Sequence, residues 1–303
     1  VEAELTSILK PADASRAVDP ADLAWARRTL ALTYVARADL TGDYQQALKA
    51  LYLYAPPDKA DEKLPEEAED LRVLARVYAA QRIVSYRTKA AAILKKLVDE
   101  RRASEDDRYL LARIYKADGD WDKAHAELAE LVREERRPAS TQDLAQQVGR
   151  LTYFASELID RLKPPASDAD AGAAEAQALI DRLKAFQPDS FNVLSLQVRL
   201  DKARGKDAEA LAKVKAIADR PQVAPALARA LGGLAEKVGL LDEAEALLKR
   251  NATASPRLED QLEYAAFLGR RGRIKDALDV CEPLWKAAPN PEPVTPTVIS
   301  ILL

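Results

Sequence analysis

Residues 108–132, RYLLARIYKADGDWDKAHAELAELV, decide the fold. Leu111, Ala112 and Tyr115 recur at the spacing of one helix face, Asp118-Gly119-Asp120 interrupts them, and Ala124, Leu128 and Leu131 resume the pattern. The stretch predicts two short helices joined by a tight turn. One such pair cannot bury its own apolar stripe, so it needs similar neighbours in the chain.

The punctuation recurs on both sides. LARVYAA at 74–80 matches LARIYKA at 111–117 with an offset of 37 residues. Gly42-Asp43-Tyr44-Gln45-Gln46-Ala47 repeats the turn at Gly119–Ala124, and Gly205/Ala210, Gly239/Ala244 and Gly272/Ala277 keep the same Gly-to-Ala distance. The order large, small, aromatic, Gly, Ala, large resembles the tetratricopeptide repeat (TPR), a helix-turn-helix unit of about 34 residues. The resemblance covers most of 20–289. It implies an all-α fold, a right-handed α-α superhelix (a TPR-like solenoid) of about seven helix-turn-helix units, with 1–303 forming one array. Sel1-like, half-a-TPR and pentatricopeptide arrays share the periodicity.

Helix boundaries follow from local signals. Residues 1–10 read as the second helix of an earlier, truncated repeat, with Leu5, Ile8 and Leu9 on one face and Pro11 ending it. Asp19-Pro20 starts a long helix that runs to Gly42, and Pro56-Pro57 closes that unit. Ser104/Asp107 and Ser140/Asp143 are capping pairs. Residues 163–175 read as an insertion loop within a repeat, 290–297 as a Pro-rich extended segment, and 298–303 as a cap or the start of a further helix. The small residues Ala75, Ala112, Gly149, Gly232 and Ala265 are expected to let the second helix of each unit approach the first.

Composition narrows the chemistry. Lys and Arg total 46 against 49 Asp and Glu, a net charge of -3, which provides no basic footprint for nucleic acid and disfavours the RNA-binding pentatricopeptide option. One His, His125, and one Cys, Cys281, leave no ligand set for a structural metal and no nucleophile–base pair, so no catalytic residue, metal site or cofactor is expected. No apolar run is long enough for a membrane span. Trp25, Trp121 and Trp285 read as packing residues. The sequence begins at Val1 and lacks Met, which reads as a fragment or processed form. A cytosolic location is favoured over a periplasmic one, which stays open because a removed signal peptide would be invisible. The oligomeric state is not legible.

The residue after each small one points away from the partner helix, and the resemblance to TPR arrays implies that this face lines an inner, concave groove. That place holds Arg76, Arg113, Arg150 and Arg199, the first three spaced 37 apart. Arg72, Tyr109, Gln146 and Ser195 lie one turn before them, with Lys116, Tyr153 and Lys202 one turn after. Such a row suits a peptide or protein partner that is acidic, because guanidinium groups grip carboxylates in two-pronged geometry. The competing reading is a solvated face whose arginines pair with Asp106, Asp143 and similar residues. The scarcity of Asn argues against a chaperone-tail clamp. The sequence therefore predicts a non-enzymatic protein–protein interaction scaffold. A scaffold of a bacterial envelope or polymer-export system is the alternative. An α/α-toroid enzyme is remote, since aromatic residues are only 6% of the chain.

Overall fold

In the computed structural model the described residues are 2–10, 18–54, 64–133, 138–167, 170–220, 223–287 and 292–303. Every regular element among them is a helix, and the chain divides into two compact units where the sequence predicts one array. The first, Val1–Pro138, contains α1 (Glu2–Leu9), α2 (Pro20–Thr41), α3 (Tyr44–Tyr54), α4 (Ala68–Ala79), α5 (Val84–Asp99), α6 (Glu105–Ala117) and α7 (Trp121–Val132). The second, Ala139–Leu303, contains α8 (Thr141–Arg161), α9 (Ala171–Phe186), α10 (Phe191–Ala203), α11 (Asp207–Ala218), α12 (Pro225–Lys237), α13 (Leu241–Ala254), α14 (Leu258–Arg270), α15 (Ile274–Ala287) and α16 (Thr295–Leu302). From α2 to α15 the helices pair into seven consecutive hairpins among the described residues, with α1 packed on α2 and α16 on α14 and α15.

The hairpin turns form for the reason the Gly spacing implies. Gly42, Gly119, Gly205, Gly239 and Gly272 all adopt positive φ, between 71° and 83°, a region that costs a side chain energy and a glycine little. Five residues after each, an Ala of the second helix is buried against the first: Ala47, Ala124, Ala210, Ala244 and Ala277. The second hairpin lacks the Gly and places Arg82 at φ 55° in its turn.

The caps form as the sequence predicts. The Asp19 carboxylate accepts a hydrogen bond from Ala21 N at 2.8 Å. Ser104 and Asp107 make a reciprocal capping box, Asp107 N donating to Ser104 Oγ at 3.2 Å and Ser104 N to Asp107 Oδ2 at 2.7 Å. Asp143 N donates to Ser140 Oγ at 3.1 Å.

A second device links successive first helices. Arg28 of α2 pairs with Asp70 of α4 at 3.6 Å, Arg72 of α4 with Asp107 of α6 at 2.8 Å, and Arg229 of α12 with Asp260 of α14 at 3.4 Å. Each Asp is the third residue of its helix, where the N-terminal end of the helix dipole also favours negative charge. Asp107 and Asp260 are each only 1% exposed, so these carboxylates belong to the interior and rely on their partners.

Three sequence expectations are corrected. Helix α9 begins at Ala171, inside the predicted 163–175 loop, and Ala166 N of that connection donates to Ala203 O at 2.7 Å, fastening it to the end of α10. The predicted extended segment at 290–297 turns helical at Thr295, because Pro296 sits in the first turn, where its missing N–H would have no partner anyway. Trp25 and Trp285 are 51% and 41% exposed rather than packed. Pro11, Pro56, Pro57 and Pro289 lie outside the described residues.

Candidate functional site

In the first unit, residues of α2, α4 and α6, with Arg87 of α5, bound a groove of about 620 Å³. Leu32 and Val35 of α2 and Leu110 and Ile114 of α6 give it an apolar floor, each pair at helical spacing. Arg76, Tyr109 and Arg113 line it as well, so the structure brings together three of the residues expected in a groove. Their electrostatic states differ. Arg76 faces Asp106 at 3.8 Å, and Arg87, also in the lining, holds Asp118 at 2.9 Å. Arg113 instead lies over the Tyr109 ring, 5.9 Å from its centroid. Among the described residues it is the lining cation with no carboxylate in ion-pair range, and it is exposed. Tyr109 lies within cation–π range of the guanidinium, a contact that does not neutralise its charge.

The remaining members of the predicted row are placed otherwise. Arg72 is occupied by Asp107 and by Arg102 O, to which its Nη2 donates. Lys116 is exposed. In the second unit Gln146 is exposed, Ser195 is half-buried, and Lys202 pairs with Asp207 at 2.9 Å. Arg199 donates to Ser156 Oγ at 2.9 Å and pairs with Asp160 at 2.5 Å, linking α10 to α8. Arg150 is a correction: it is 7% exposed and points inward, whereas Gly149, expected at the helix contact, is exposed and would have no neighbour within 4 Å of an added Cβ. The small buried residue of α8 is Ala155, roughly two turns further on, beside the buried Phe154. The other small residues take their expected places, Ala75, Ala112 and Ala265 being fully buried and Gly232 lying against Leu248.

The packing register of α8 opens a second groove in the second unit, of about 570 Å³, which no sequence motif marks. Gly149, Thr152, Tyr153 and Ser156 of α8 line it with Gln187, just after α9, and Asn192 of α10. Tyr153 is the one predicted site residue found there. A third cavity, of about 310 Å³, lies between α15 and α16 and is lined by Cys281, Trp285 and Val298. Burial pushes the Cys281 thiol above its ordinary pKa, which disfavours the thiolate. His125 packs edge-on against Trp121, with centroids 5.6 Å apart. Among the described residues no cluster of His, Cys, Asp and Glu could hold a metal, and no helix is long and apolar enough to cross a membrane.

No family profile matches the sequence, and no curated protein matches it. Solved structures do match its fold. A tetratricopeptide repeat protein from Parabacteroides merdae aligns over 92% of this chain and 99% of its own, with a TM-score of 0.50 at 13% identity. The chain folds as a TPR-like helical repeat array. The pentatricopeptide repeat protein PPR10 from maize aligns with this TPR-like array over 99% of the chain and 43% of its own, at a TM-score of 0.38 and 19% identity. Yeast Tom70 aligns over 99% and 77%, at 0.29 and 13%. Among the described residues the TPR-like array has five of its seven hairpin turns built on a left-handed Gly.

Proposed function

We propose that this TPR-like array is a non-enzymatic interaction scaffold, and that the groove of its first unit holds a segment of a partner protein. The observation that carries the reading is the composition of that groove. Its floor takes apolar side chains, and Arg113, poised on Tyr109, takes a carboxylate. Apolar anchors supply most of the affinity in such contacts and one well-placed charge supplies register. Nucleic acid fits poorly, because Asp39 and Asp106 stand in the same lining and Arg76 and Arg87 already face carboxylates.

The test is capture of partners by the whole chain and by Arg113→Glu, with bound segments mapped by cross-linking. Capture of an acidic segment that cross-links to α4 and α6, weakens with added salt and is lost in Arg113→Glu supports the assignment. Binding that survives Arg113→Glu unchanged, or cross-links lying outside α2, α4 and α6, refutes it. Arg150→Glu is no substitute as a probe, since a buried charge reversal unfolds its surroundings.

A further inference from the structure

The groove between α8 and α10 differs chemically from the one in the first unit. Among the described residues, no Lys, Arg, Asp or Glu lines it. Arg199, which donates to Ser156 of the lining, is paired with Asp160 at 2.5 Å. Its aliphatic side chains are Ala145 and Val148, too small to receive the anchor residues on which peptide recognition depends. It offers hydrogen-bonding groups around one aromatic ring.

Several of those groups make no hydrogen bond among the described residues. Thr152 Oγ1 is buried and makes no hydrogen bond among the described residues, an arrangement that costs free energy unless something binds it. The side-chain amides of Gln187 and Asn192 also make none among the described residues, and each presents a donor pair and an acceptor. Ser156 Oγ accepts from Arg199, which leaves its own proton to donate. Between these groups stands the Tyr153 ring. Gly149 next to it leaves open space where any other residue would carry a Cβ, so a flat ligand can approach the helix backbone.

We propose that this groove is a binding site for a neutral saccharide. Planar amides and hydroxyls match vicinal hydroxyl groups, the C–H face of a sugar ring rests on Tyr153 and Val148, and the absence of charged lining disfavours phosphates and acidic peptides alike. The volume falls within the range of small-molecule sites, roughly 300 to 1,000 Å³. The assignment is independent of the groove in the first unit.

The experiment titrates the whole chain with cellotetraose, maltotetraose and tetra-N-acetylchitotetraose, and with an uncharged Gly-Ser-Asn peptide, by calorimetry. At least one oligosaccharide is expected to bind, with little dependence on salt. Gln187→Ala and Asn192→Ala should each weaken it about two- to tenfold, as loss of one hydrogen-bonding group does. Thr152→Val separates a ligand role from a structural one: it should weaken the saccharide while leaving the protein as stable as wild type or more so, because it removes an unpaired buried hydroxyl. Failure of all three oligosaccharides to bind at millimolar concentration overturns the proposal. So does binding indifferent to the two Ala substitutions, or binding of the uncharged peptide alone.

Discussion

Gly232 and Gly233 are neighbours on α12, and replacing each with Ala separates packing from helix propensity at a single site. Both changes add the same intrinsic preference for the helix, about 0.5 to 1 kcal/mol in favour of Ala. Their surroundings differ. A Cβ on Gly233 meets nothing within 4 Å, whereas one on Gly232 falls 2.6 Å from Leu248 Cδ2 and 2.7 Å from its Cγ. Leu248 is buried in α13 among the core residues of the second unit and has little room to retreat. Overpacking of this kind costs about 1 to 3 kcal/mol. Gly233→Ala should therefore stabilise by about 0.5 to 1 kcal/mol, and Gly232→Ala should fall about 1 to 3 kcal/mol below it. Urea unfolding followed by circular dichroism gives the two midpoints. Because repeat arrays need not unfold in one step, amide hydrogen exchange in α12 and α13 supplies the local free energies. Equal stability of the two variants would falsify the claim that Gly232 is present for close helix approach.

Leu111→Ala should cost about 2 to 5 kcal/mol, since Leu111 is fully buried in the core of the first unit, and a midpoint within experimental error of wild type would contradict that placement. Asp107→Ala removes a cap acceptor and the partner of Arg72 together and should cost about 1 to 3 kcal/mol, with hydrogen-exchange protection lost at the start of α6; protection unchanged there would mean that the box is ornamental. Cys281 should resist iodoacetamide in the folded protein and react at the rate at which α15 opens, whereas rapid labelling of native protein would disprove its burial. The raised thiol pKa has a definite sign: the unfolded thiol ionises first, so this contribution to stability is intact below the ordinary thiol range and declines as pH rises through it towards the folded value. A Cys281→Ala variant should lose that part of the alkaline decline, and an unaltered pH profile would exclude the thiol as a cause.

The hairpins and their turns were legible in the sequence because their signals are local. A glycine in the left-handed region, an Ala five residues on and a Ser/Asp box each act within a few residues, and neighbours elsewhere do not change them. The register of α8 was not legible. An offset of 37 puts Gly149 inside and Arg150 outside, but in this 21-residue helix Arg150, Phe154 and Ala155 are buried and Gly149 is exposed, a register set by packing against α9 and α10 rather than by the repeat spacing. The Arg row was readable as a series of positions but not as a surface. Whether a guanidinium is neutralised depends on which carboxylate a neighbouring helix brings near, as Asp107 does for Arg72, Asp106 for Arg76 and Asp160 for Arg199. The second groove had no sequence signal, because hydroxyl and amide residues carry no diagnostic spacing.

The aspartates at the third position of α4, α6 and α14 have a consequence for how the array comes apart. One carboxylate there helps begin its own helix and also grips the helix before it, so fraying of that first turn releases the neighbour in the same event. Adjacent hairpins joined this way should melt as partners, with a shared opening free energy rather than two separate ones. The link is directional along the chain, since the arginine always belongs to the earlier hairpin and the carboxylate to the later one.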